Sequence, residues 1–279
     1  MRRTASLSAM FFATLLVLVV ALPASAAPPT PTVYLALGDS LADGQGASDW
    51  DVTGYVPLFA DYVAGTPHGD AKNLVNLGYG GETTTSFLAG AQYTSALAVI
   101  ADPASDVRVV TLSLGGNDLL NLLYTDTPCA TAPGSLECTM LVASVLQGVA
   151  ANYVQLVTGL ASALAVEDAD PEDVYVLTLY NPFKGIGGPY ETPIDFALLG
   201  ADGALDCSAL ANRMNAGLND ITACTAAAAG WTVVDGYALF GDRAMELTNM
   251  AGGTFDFHPN DLGYAVLADG HRLAERAGD

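Results

Sequence analysis

Lysine is nearly missing from this chain. Lys72 and Lys184 are the only two, and Lys plus Arg number 9 against 30 Asp plus Glu, for a formal net charge of -21. A surface of that sign repels phosphate backbones and anionic lipid, which excludes nucleic-acid binding as a function. The plain role of such acidity is solubility, with tolerance of salt or acid as a further reading. Histidine is scarce at 3 and cysteine at 4. No Cys-x-x-Cys and no paired-histidine spacing occurs, which argues against zinc. The many aspartates leave a calcium ion open, but no loop has EF-hand spacing. Gly-x-Ser-x-Gly is absent too, and with it the nucleophile elbow of the α/β-hydrolases.

What is present starts with an apolar run from about Ala9 to Leu22 behind Arg2 and Arg3. Pro23 and Ala24-Ser25-Ala26 follow as a small-x-small cleavage signal. This pattern predicts a secretory signal peptide over residues 1–26, cut near Ala26, and hence an extracellular protein. The run is short for a bilayer span of about 20 residues. No cysteine follows the cleavage point to carry a lipid, and nothing later reads as long and apolar enough to span. No stable membrane anchor is therefore expected. The leader holds Arg2 and Arg3 and no acid, so the chain without it is near -23. Residues 27–32, with Pro28, Pro29 and Pro31, read as a short linker. Residues 33–279 then fit one domain with a sizeable core. Oligomeric state is not legible, and a monomer is the default.

Four cysteines in an exported chain suggest two disulfides, with three connectivities open. Cys129 and Cys138 flank a Pro/Gly loop and make the first pair, which leaves Cys207 with Cys224. The second pair conflicts with a helical reading of Ser208 to Ala229. A helix of 17 residues spans about 25 Å, and a disulfide tolerates only about 4.4–6.8 Å between Cα atoms. Either the helix starts late, near Gly217, or the pairing differs.

Apolar strands alternate with helical stretches. Strands are expected at Val33–Leu37, Asn73–Leu77, Val107–Leu114, Val174–Leu179 and Trp231–Val234. Helices are expected at Val56–Val63, Ser86–Ala101, Thr139–Val166 and Asp261–Ala277. The segment 181–206 is rich in Gly and Pro and reads as a loop or partial lid. This alternation predicts an α/β fold with a parallel sheet covered by helices on both faces. Functional sites in such folds lie beyond the carboxyl ends of the strands.

The chemically suggestive residues fall at those ends. Ser40 follows strand one in Gly38-Asp39-Ser40-Leu41. A serine there is ordinarily a helix N-cap, but the neighbouring glycines leave its hydroxyl room to act as a nucleophile. Asn117, in Gly115-Gly116-Asn117-Asp118 after strand three, is either a turn residue or an amide donor to an oxyanion. Gly81, after strand two, offers a backbone N–H without side-chain obstruction; Gly80 is its neighbour in the same motif. His258 sits in the turn Asp256-Phe257-His258-Pro259-Asn260 and is the candidate base. His68 lies in a polar loop, and His271 reads as a surface position on the last helix.

Taken in order, these segments resemble the SGNH, or GDSL, hydrolases. Gly38–Leu41, Asn76–Thr83, Gly115–Asp118 and His258–Pro259 correspond to four of the family's blocks and cover nearly the whole chain after the leader. The resemblance implies a flavodoxin-like three-layer α/β/α sandwich around a central parallel five-stranded sheet. It implies ester hydrolysis with Ser40 as nucleophile and His258 as base. Gly81, Asn117 and the Ser40 N–H would hold the oxyanion, and no metal or organic cofactor would be needed. One departure stands out. The family places its triad aspartate three residues before the histidine, where this chain has Phe255; the nearest acid is Asp256, two before. Asp256, or else a backbone carbonyl near Phe255, would orient the imidazole.

A small-molecule, lipid or glycan ester is the expected substrate. Polysaccharide O-deacetylation is the alternative reaction, and a non-catalytic carbohydrate or lipid binder the alternative class. Specificity would rest on loops at Gly46–Thr53, Leu119–Leu136 and 181–206. Leu119, Leu120, Leu122, Leu123 and Tyr124 either line an acyl pocket or pack a short helix.

Overall fold

The computed structural model describes residues 30–65, 71–124, 126–166, 174–208, 216–252 and 255–278. The expected signal peptide and His68 lie outside them. Five strands form one parallel sheet: β1 Thr32–Gly38, β2 Asn73–Asn76, β3 Asp106–Ser113, β4 Val174–Leu177 and β5 Thr232–Val234. Their order is β2-β1-β3-β4-β5. The order reverses direction at β1 and β3, so the crevice beyond their carboxyl ends is the topological switch point where such sheets bind ligands.

The side chains of β1 alternate between two cores. Val33, Leu35 and Leu37 pack on one face of the sheet, Tyr34 and Ala36 on the other. The first face is covered by α5 (Ala91–Ile100), α8 (Leu136–Val166) and α10 (Leu218–Ala228), the second by α3 (Tyr55–Val63) and α13 (Asp261–Gly278). Single-turn helices α1 (Ser40–Asp43) and α2 (Trp50–Thr53) follow β1, and α4 (Thr84–Ala89) follows β2. Short helices α6 (Gly116–Tyr124) and α7 (Pro128–Thr131) follow β3, and α9 (Glu191–Leu199) follows β4. Helices α11 (Gly236–Phe240) and α12 (Ala244–Leu247) and a 3-10 turn at Asn249–Gly252 lie between β5 and α13.

Several expectations are corrected. The helix read over Ser86–Ala101 is two helices, α4 and α5, parted at Gly90, where a Cβ would lie 2.5 Å from the Ser86 carbonyl oxygen. The break turns α5 so that Gln92, Ala96 and Ile100 point inward. The segment 181–206 is not all loop, because α9 occupies its middle. Pro193 sits in the first turn of α9, where a missing N–H costs nothing, and Ala197 and Leu198 are buried. Likewise α6 and α7 fill much of Leu119–Leu136, and α2 fills part of Gly46–Thr53. By length and composition α8 is apolar enough to cross a membrane, contrary to expectation. Its apolar face is committed to the sheet instead, through Tyr153, Leu156 and Leu160, each fully buried.

The disulfide conflict resolves on the late start. Helix α10 begins at Leu218, after Gly217. Cys207 and Cys224 then bond with Cα atoms 5.4 Å apart, and Cys129 bonds Cys138 at 4.7 Å. The Asp220 carboxylate fixes that start, accepting the Asp206 N–H at 2.7 Å and the Gly217 N–H at 2.8 Å.

Candidate active site

Strand β1 ends against β3 so closely that a Cβ on Gly38 would stand 2.1 Å from the Ser113 carbonyl oxygen, and its φ of +140° is one that L side chains rarely adopt. The chain then turns at Asp39. Its N–H donates to the Ser113 carbonyl at 3.0 Å, and its Oδ1 accepts the Leu41 N–H at 3.0 Å. Asp39 is thus the N-cap of α1, and Ser40 is not; Ser40 is the first helical residue. Burial pushes the Asp39 carboxyl up to about 7; the Leu41 N–H works against this, and the charges of Asp118 and Glu82 add to it.

Ser40, Gly81, Asn117 and His258 line one cavity of about 190 Å³, together with Gln45, Leu120, Tyr124 and Phe257. Segments from four parts of the sequence meet there because polar side chains staple them. The Gln92 amide pairs with both backbone groups of Gly38, accepting at 2.7 Å and donating at 3.0 Å, and donates to Glu82 Oε2 at 3.0 Å. Asn117 Nδ2 donates to the Glu82 carbonyl at 3.0 Å. The Asp118 carboxylate accepts the N–H and hydroxyl of Thr84, each at 2.9 Å. Burial raises the Asp118 carboxyl, and the Thr84 hydrogen bonds pull it partly back. Between the adjacent glycines, Gly81 is the one that lines the cavity. Its φ is +82° and a Cβ there would touch nothing, whereas a Cβ on Gly80 would meet Gln45 Nε2 at 1.9 Å.

The His258 turn is held from three sides. Its carbonyl accepts the Asn249 N–H at 3.0 Å, Tyr180 donates to the Phe257 carbonyl at 2.6 Å, and Asn260 Nδ2 donates to the Glu246 carbonyl at 2.8 Å. Asp256 Oδ1 lies 2.6 Å from His258 Nδ1 and also accepts the His258 N–H at 3.1 Å. Partial burial raises the Asp256 carboxyl, but the His258 N–H, ring and charge and the Asn249 side chain outweigh it, and the net shift is downward. The side chain of Phe255, where the family has its aspartate, packs on Phe257 at 4.7 Å between ring centroids.

Helix α13 closes the arrangement. Tyr264 donates to the Gln45 carbonyl at 2.6 Å, and Asp261 accepts from Ser48 N–H at 2.7 Å and Thr53 Oγ1 at 2.9 Å. His271, expected on the surface, is fully buried on the inner face of this helix. It stacks on Tyr55 at 5.0 Å, and its Nδ1 donates to the Leu267 carbonyl at 2.8 Å. Burial pushes its pKa down to about 4, so it stays neutral and structural. Because the unfolded chain binds that proton near 6.5, His271 contributes stability that is present above pH 6.5 and lost as pH falls through 4. We expect wild type to lose about 3 kcal/mol more than His271→Phe between pH 7.5 and 4. Urea unfolding at both pH values measures the difference; equal losses would show that this histidine does not titrate on unfolding.

Sequence reasoning did not single out Gln92, Asn249 or Tyr180. Gln92 carried a signal: it is a polar residue in register with Ala96 and Ile100 on the buried face of a helix. Among the described residues no group of three His, Cys, Asp or Glu is placed to hold a metal ion.

The sequence pattern of the GDSL-like lipase/acylhydrolase family matches residues 36–266. The chain belongs to this family. As a member it is a carboxylic ester hydrolase, on the α/β fold of the SGNH hydrolases. No curated protein matches it by sequence. Among solved structures it is similar to Axe2, an acetylxylan esterase from Geobacillus stearothermophilus, with a TM-score of 0.55 and 17% identity over 88% of this chain and 96% of that one. It is also similar to LAE5, an alpha/beta hydrolase enzyme from the metagenome of Lake Arreo, Spain, with a TM-score of 0.51 and 18% identity over 88% and 95%. At these identities the likeness speaks for the fold alone.

Proposed function

We propose that this esterase is an exported serine hydrolase working through an acyl-enzyme on Ser40. The observation that carries the reading is the convergence of Ser40 and His258 on one cavity, with Asp256 against the far nitrogen of the ring. Asp256 holds the Nδ1 proton, which leaves Nε2 as the base. Ser40 Oγ attacks the ester carbonyl carbon, and Nε2 takes the hydroxyl proton. The tetrahedral oxyanion collapses, the bond to the alcohol oxygen breaks, and Nε2 returns the proton to that oxygen. Water then repeats the sequence on the acyl-serine, releasing the acid and restoring Ser40.

Three donors would meet the oxyanion: the N–H of Ser40, the N–H of Gly81 and the amide of Asn117. The amides on either side of Ser40 are committed, to Ser113 and to Asp39. Asn117 spends one amide hydrogen on the Glu82 carbonyl, which fixes the group while a second hydrogen remains. We expect Asn117→Ala to lower kcat about 10²–10³-fold with KM little changed. Unchanged kcat in steady-state assays would remove Asn117 from the oxyanion hole.

A stoichiometric phosphonofluoridate adduct, located by mass spectrometry, tests the nucleophile. The adduct is expected on Ser40 and absent from Ser40→Ala; an adduct on another residue would overturn the assignment. Residues 1–26 are proposed as the signal peptide, 27–32 as linker and 33–279 as the catalytic domain. The two disulfides support an oxidising destination.

A further inference from the structure

A second cavity, of about 50 Å³, opens beside the catalytic one. The two share Gly116, Leu120, Leu179, Tyr180 and Phe257 in their linings, so they adjoin one another. The far wall is Ile194 and Leu198 of α9. Among the described residues of this lining Tyr180 alone brings a polar side chain, and its hydroxyl is committed to the Phe257 carbonyl.

We propose that this cavity is the acyl site, and that α9 limits the acyl group to a short saturated chain, with butanoyl to hexanoyl as the best fit. The inference rests on Ser40 being the nucleophile. One group the size of a water needs about 10–15 Å³ of such space, so the cavity, at about 50 Å³, takes about three to five carbon-sized groups beyond the carbonyl. An apolar lining with no free donor or acceptor suits a hydrocarbon tail and leaves a sugar hydroxyl unpaired, at a cost. The polar or exposed lining of the catalytic mouth, Gln45 and Tyr124 among it, faces the alcohol half instead.

The wall is fixed. Asp195, between Ile194 and Leu198 on α9, accepts from Lys184 Nζ at 2.7 Å, Asn181 Nδ2 at 2.7 Å and Tyr237 OH at 2.6 Å. Asn181 Nδ2 also donates to the Glu191 carbonyl at 3.0 Å, and the Glu191 carboxylate accepts the N–H groups of Gly185 and Gly187. Helix α9 is thereby tied at its start to the segment after β4 and by Asp195 to α11. A longer chain cannot push it back without breaking these bonds.

The test holds the alcohol constant and varies the acid: p-nitrophenyl acetate, butanoate, hexanoate, octanoate and dodecanoate, with wild type, Leu198→Ala and Ile194→Ala. In wild type kcat/KM is expected to rise about fourfold per methylene from acetate to butanoate and to fall by about tenfold or more at octanoate. Each variant is expected to raise the octanoate-to-butanoate ratio about tenfold. That ratio cancels the active fraction, so a partly folded Leu198→Ala sample still reports, and the half-buried Ile194 gives a second, milder reading. A wild-type profile that is flat or climbs to dodecanoate overturns the proposal while the serine mechanism stands. A short-chain profile unmoved in both variants overturns the role of α9. Absence of turnover at every length from folded wild type that still takes the phosphonofluoridate on Ser40 overturns this inference alone; absence of both turnover and adduct overturns the serine reading with it.

Discussion

Replacing Ser40 by alanine is expected to lower kcat on p-nitrophenyl esters by about 10⁶-fold. The size follows from the chemistry. Without Oγ there is no acyl-enzyme, and only the oxyanion donors remain to assist attack by water, a residue of about 10³–10⁴ over the uncatalysed rate. Little else should change. Ser40 is the first residue of α1, and the cap that starts this helix belongs to Asp39. The alanine variant should therefore unfold at nearly the wild-type temperature and bind substrate with nearly the same affinity. Calorimetry beside kinetics reads both. A folded variant that keeps more than a hundredth of the wild-type rate would show that another group, or a directly activated water, attacks the ester.

Asp256→Asn is expected to reduce kcat by about 10²–10⁴-fold. The carboxylate accepts twice from His258, at 2.6 Å from the ring and 3.1 Å from the backbone. Both bonds end on Oδ1, so an asparagine with its oxygen in that place keeps them but loses the negative charge that steadies the imidazolium formed when His258 takes the Ser40 proton. If the amide is turned over, its NH₂ takes the place of Oδ1, faces Nδ1 and selects the tautomer with the proton on Nε2, which cannot then accept one from Ser40. The Asp256 side chain is 37% exposed, so water can stand in for part of its role and the loss should lie toward the lower end. A loss within tenfold would pass the orienting role to another group, such as a backbone carbonyl near Phe255. The family's customary spacing would put the acid at Phe255. Here the turn folds tightly enough that an acid two residues before the histidine reaches the same ring nitrogen.

These two substitutions read the serine chemistry that a simple esterase and a polysaccharide deacetylase share, and the substrate separates the two. A polysaccharide deacetylase would show both losses on acetylated glycan and would turn over p-nitrophenyl acetate in preference to esters of longer acids. Tyr124, in the cavity lining, and Phe255 are both exposed and both pack on Phe257.

The sequence by itself determined the sheet and its active edge. Val33–Leu37 is buried on both faces, and so is the stretch 109–114, where Thr111 and Ser113 interrupt an otherwise apolar run; such runs, short and bounded by turn residues, suit central parallel strands. Glycines and small polar residues at their ends marked the crevice, because close backbone approach and exposed donors demand them there. Tertiary structure alone decided what depends on contacts between distant segments. His271 lies on the face carried by Tyr264, Leu267 and Ala268, yet its polarity suggested solvent until its ring was placed against Tyr55. The Gly/Pro content of 181–206 concealed α9, whose helical form is fixed by the hydrogen bonds of Asn181, Asp195 and Glu191 and by burial of Leu198. The union of Ser40 with His258, 218 positions apart, is likewise a product of folding: Gln92, Asn249, Tyr180 and Tyr264 draw the loops together through hydrogen bonds whose partners are adjacent in space and remote in sequence.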